Sequence, residues 1–100
     1  MITMRFDDFM KLREEGRIPD DLPPLLEALL LDSIGDWDSA HKIAQNVFTK
    51  EGSWVHGYLH RKEGDIPNAA YWYGNAGRKL PEIELVDEWE IIARELCGDK

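Results

Sequence analysis

Apolar residues recur at helical spacing along nearly the whole chain, and no run alternates apolar and polar positions as a half-buried strand would. A first helix is predicted from Arg5 to Glu15, with Phe6, Phe9 and Met10 on one face and Gly16 as its stop. A second follows "PDD" (19–21), takes Pro23 and Pro24 in its first turn and runs to about Ser33. A third starts after Gly35 with Asp36 as N-cap; Trp37, Ala40, Ile43, Ala44, Val47 and Phe48 make its apolar stripe. The stretch "SWVHGYLHRKEGD" (53–65) supplies a fourth. A fifth starts after a second capping aspartate, Asp65, and is expected to bury Ile66, Ala69, Ala70, Tyr73 and Ala76. The last runs from Glu82 to about Cys97 on a stripe of Leu85, Val86, Trp89, Ile92, Ala93 and Leu96. The connections are short, and Gly or Pro punctuates most of them. The expected architecture is an all-α domain of about six helices spanning residues 1–100.

The pattern repeats. "LDSIGDWDSAHKIAQ" (31–45) lies over "HRKEGDIPNAAYWYG" (60–74), so that Gly35-Asp36 falls on Gly64-Asp65 and Ala40 on Ala69. Each copy reads helix, Gly-Asp turn, helix. Glycine permits the left-handed residue that ends one helix, aspartate caps the next, and the alanine allows the two to approach closely. With Gly57, Gly64-Asp65, Ala69, Tyr73, Ala76 and Pro81 at mutual spacings of that kind, the segment at about 50–82 resembles a tetratricopeptide repeat. A second copy, about 21–49, has Ala28, Gly35-Asp36, Ala40, Ala44 and Val47. It lacks the closing proline, and the two copies are offset by 29 residues where the family repeats at about 34. The resemblance covers roughly 60 of the 100 residues and looks like divergent, short bacterial repeat proteins. It implies two helical hairpins, with the first and last helices as N- and C-terminal caps; Phe6, Phe9 and Trp89 are suited to that place. It also implies a non-enzymatic module that binds a peptide, a partner protein or its own copy. The family's ligand groove would then fall on Trp54, Tyr58, Arg61 and Lys62. Aromatics beside arginine suit an acidic or carboxylate end. The other reading of the stripe is that Trp54 and Tyr58 pack under the helix at 82–97.

Composition narrows the function. Acidic residues outnumber basic ones 20 to 12, for a net charge of −8, which argues against nucleic acid as a general partner. The charge is uneven: residues 1–40 carry four basic and ten acidic residues, residues 41–79 six and three, and residues 80–100 two and seven. No apolar run approaches the roughly 20 residues of a membrane span. The N-terminal "MITMRFDDFMKLREEG" lacks the basic start and apolar middle of a secretory leader. With a lone cysteine, Cys97, a reducing cytoplasmic setting is expected.

Candidate chemistry is sparse. No phosphate loop, GxSxG or dinucleotide fingerprint occurs. Cys97 sits at the end of an acidic helix, where a thiolate is disfavoured. No catalytic residue and no cofactor are expected. His56 and His60, four apart, present two ligands from one helix face, with His41 or Glu63 as a third. That makes a metal or small-ligand site, even a hydrolase, the alternative to packing histidines. The helical wheel places both histidines opposite Trp54, Val55, Tyr58 and Leu59, whereas the repeat resemblance turns them toward the following helix; a helix sandwiched on both sides satisfies both. Tyr71 and Trp72 lie off the Tyr73 face and mark a second candidate contact, with Trp72 counted among the partner-binding residues.

Overall fold

The computed structural model describes residues 4–98 and contains, among them, six α-helices and no strand. They are α1 (Phe6–Glu15), α2 (Pro24–Ser33), α3 (Trp37–Ala44), α4 (Lys50–Glu63), α5 (Ile66–Asn75) and α6 (Leu85–Leu96). The all-α expectation holds, and each predicted helix is present. Helices α2 and α3 form one hairpin, α4 and α5 the other.

The sequence repeat reappears in the backbone. Gly35 and Gly64 take φ of 89° and 92°. In each turn the glycine N–H bonds back to Asp32 or Arg61, and the following aspartate N–H to Leu31 or His60 at 2.9 Å. This double closure satisfies carbonyls that a helix end would leave without donors. The carboxylates of Asp36 and Asp65 then cap the next helices by accepting from the N–H of Ser39 and Asn68. Alanines at the contact, Ala40 and Ala69, are fully buried.

Four expected core positions lie outside the core. The third helix ends at Ala44, so the apolar period running on through Phe48 does not describe a helix, and Phe48 is 90% exposed. Two tight backbone bonds, Asn46 N–H to Ile43 and Val47 N–H to Ala44, turn the chain away. Thr49 restarts it by accepting from the N–H of Gly52, so α4 begins at Lys50, ahead of the expected stretch. A Cβ on Gly52 would sit 2.0 Å from the Val47 carbonyl oxygen, so only glycine fits this corner. Ile66 and Ala70 are also exposed, because α5 buries only the narrower stripe of Ala69 and Tyr73 before Ala76. Val86 of the α6 stripe is half exposed.

The terminal helices meet each other. Phe9 of α1 stacks on Trp89 of α6 with ring centroids 5.6 Å apart, and the Trp89 indole N–H donates to the Leu29 carbonyl on α2 at 3.0 Å. Helix α6 packs on both α2 and α4. The two expected caps therefore close one continuous core. At its centre, α4 is buried on every side from Trp54 to His60.

Candidate metal centre

Two carboxylates, both about 2% exposed, meet α4 from its neighbours: Asp32 from α2 and Glu88 from α6. Glu88 accepts from the Trp54 indole at 3.1 Å, from the Tyr73 hydroxyl at 2.6 and 2.7 Å, and from Arg61 at 2.9 Å. Arg61 also donates to the Ile83 carbonyl. Asp32 accepts from Tyr58 at 3.2 Å and from Lys62 at 2.9 Å. Burial and these carboxylates hold the hydroxyls of Tyr58 and Tyr73 well above the ordinary phenol range, so both remain donors.

Four of the residues expected to line a partner groove are thus engaged inside the protein. Trp54 and Tyr58 are only 4% and 2% exposed. Arg78 lies 3.4 Å over the Trp54 ring and covers it further. The stripe does bind carboxylates, as its chemistry suggested, but they are the chain's own. Neither Asp32 nor Glu88 was singled out from the sequence. A signal was there: each is a carboxylate on an apolar stripe, Asp32 at helical spacing from Leu25, Ala28 and Leu29, and Glu88 from Leu85 and Ile92.

The opposite side of α4 gathers the three histidines. One nitrogen from each of His41, His56 and His60 falls within 4.8 Å of the other two. His56 Nε2 lies 3.0 Å from His41 Nε2. Tetrahedral zinc with nitrogens at about 2.0–2.1 Å sets neighbouring donors about 3.3 Å apart; the His41–His56 pair lies near that spacing, and the third nitrogen, within 4.8 Å of both, would have to close in. The spacing of His56 and His60 on α4 supplies two donors. The α3–α4 corner swings His41 over them.

The surroundings hold the rings in place. Trp37 stacks on His41 at 4.8 Å between centroids and anchors itself by donating its indole N–H to the Leu59 carbonyl at 2.8 Å. Trp72 of α5 stacks on His56 at 4.0 Å. Of the five partner-binding candidates, Trp72 therefore supports the histidine site. His60 Nδ1 lies 2.7 Å from a Glu63 carboxylate oxygen, an arrangement that fixes the proton on Nδ1 and leaves Nε2 free. Burial, then the proximity of His41 and His60, lowers His56 to about 4. His41 is lowered as well, by burial first and by His60, against the opposing pull of Glu63 and Asp38. At neutral pH both rings are uncharged, and their facing Nε2 atoms share one proton that a cation would displace. The sandwich reading of α4 reconciles the two directions given to its histidines: they face α3, and α5 reaches them through Trp72. A second grouping, His60 with Glu63 and Asp65, shares His60, but its Asp65 serves as the α5 cap.

No helix among the described residues is long and apolar enough to cross a membrane. Comparison with protein-family models, with curated proteins and with solved structures finds no match for the chain.

Proposed function

We propose that this protein binds one divalent transition-metal ion, zinc or a neighbour in its series, through His41, His56 and His60. The convergence of three ring nitrogens within 4.8 Å of one another carries the reading. Three imidazoles suit zinc, copper, cobalt and nickel better than calcium or magnesium, which take oxygen ligands. Glu63, bonded to His60, supplies the negative charge behind a ligand that metal centres commonly use. The role is binding, without a catalytic residue assigned. Chelator-stripped protein titrated with zinc should take up one equivalent. His56→Ala or His60→Ala should weaken uptake by more than about 100-fold, and Glu63→Gln by about 10- to 100-fold. A wild-type chain that takes up no more zinc than His56→Ala overturns the reading.

Partner binding, the role implied by the repeat pattern, keeps one supporting observation. Phe48 stands 90% exposed, and its chain neighbours Val47 and Thr49 help line a mostly apolar cavity of about 620 Å³ with Pro23, Pro24, Leu25, Leu26, Leu96 and a single charged residue, Glu51. An exposed aromatic next to an apolar recess is an arrangement that a second copy can satisfy reciprocally. Sedimentation at rising concentration should show a dimer that Phe48→Ser abolishes; a monomer throughout removes this reading.

A further inference from the structure

A cavity of about 420 Å³ opens where α3 ends and α4 begins, and His56 and Trp72 form part of its wall. Among the three histidines only His56 lines it. The rest of its lining mixes apolar Ala44, Val47 and Phe48 with polar Gln45, Thr49, Ser53 and Asn75. Lys50 is the one charged residue in the lining, which contains no carboxylate. That is a notable departure in a chain with 20 acidic residues. The volume falls in the range of small-molecule sites, about 300–1,000 Å³. It is not the size of a peptide groove.

Three histidines leave a tetrahedral ion one position short, which is the mark of a centre that accepts an outside ligand. Resting on the metal reading above, we propose that this position takes a small organic carboxylate. Its carboxyl group would meet the ion and the Lys50 ammonium, and its apolar body would lie against Val47, Phe48 and Trp72. A bound dication and Lys50 would together make the cavity electropositive, and its lining holds no carboxylate. Phe48, 90% exposed, would gain a contact with the body of the ligand.

Cobalt(II) tests the proposal, because its visible bands report the fourth ligand. The cobalt-loaded full chain is titrated with benzoate and, separately, with acetate. Benzoate should shift the visible spectrum at a concentration at least about ten-fold below that needed for acetate, since only benzoate has a ring to bury. Phe48→Ala should erase the difference between the two, and Lys50→Ala should weaken both. Both side chains are exposed, so these variants should fold. Cobalt uptake with bands indifferent to both anions leaves the metal reading standing and overturns this one, since the site is then closed. Equal responses to benzoate and acetate, unchanged by Phe48→Ala, also overturn it, because the ion is then open to solvent elsewhere. Failure of the wild type to take up cobalt above the His56→Ala level overturns both readings together.

Discussion

Glu88→Ala should lower the free energy of unfolding by about 3–5 kcal/mol, the cost of removing one member of a buried ion pair. The substitution leaves Arg61 without its carboxylate and strips an acceptor from the Trp54 indole and the Tyr73 hydroxyl, all in the interior. Single domains are stable by only about 5–15 kcal/mol, so the variant should sit near the unfolding threshold. Glu88→Gln retains an acceptor oxygen and the side-chain shape, and should lose less than Glu88→Ala. Lys62→Ala removes the half-exposed end of the Asp32 pair and leaves Asp32 the Tyr58 hydroxyl as donor, so it should cost less than Glu88→Ala. Urea denaturation of the three variants checks the order. Equal losses for Glu88→Ala and Lys62→Ala would mean that the carboxylate hub on α6 does not hold the two hairpins to it.

The metal-free protein should lose stability on acidification below about pH 6.5, with the His56 share of that loss complete by about pH 4. The sign follows from His56. Its ring has a folded-state value of about 4 against an ordinary 6.5, so the unfolded chain takes up the proton first. Stability is then complete above the unfolded value and falls as pH drops through the folded one. A depression of this size corresponds to about 3 kcal/mol at the acid limit, and His41 adds to it in the same direction. The cause is local: a proton on His56 places a charge on a buried ring, next to His41 and His60, whose own protonation would repel it. Thermal melts from pH 7.5 to 4, compared with His56→Phe, check the prediction. The variant should keep a flatter profile across that window, because phenylalanine occupies the position opposite Trp72 with nothing to titrate.

The six helices and both Gly-Asp turns were readable in the sequence because each rests on local rules. Gly35-Asp36 and Gly64-Asp65 carry their own backbone conformation and cap wherever they occur, and the structure uses both in the same way. Phe48 was misplaced because apolar periodicity does not register where a helix stops. The stop is set by Thr49 and by the Val47 carbonyl pressed against Gly52. The chemistry of Trp54, Tyr58, Arg61 and Lys62 was legible as a carboxylate-binding stripe. The origin of the carboxylates was not, because Asp32 and Glu88 lie in helices 20 or more residues away, and pairing across that distance depends on tertiary packing. His41, His56 and His60 were legible as a possible set from spacing alone. Their convergence was not, since it depends on the α3–α4 corner and on Trp37 and Trp72 closing the rings in.

The stacking of Phe9 on Trp89 and the bond from Trp89 to Leu29 also order events in time. Both hairpins are built from neighbours in the chain and can form as soon as they are synthesised, whereas the core is sealed only when α6 arrives. Until then Arg61, Tyr73 and Trp54 face water without their acidic partner, and the apolar surfaces of α1 and α2 remain uncovered. A chain cut before Leu85 would keep local helical structure yet expose the sticky face that chaperones and proteases recognise. The last helix thus joins the two hairpins into one core through its contacts with α1, α2 and α4.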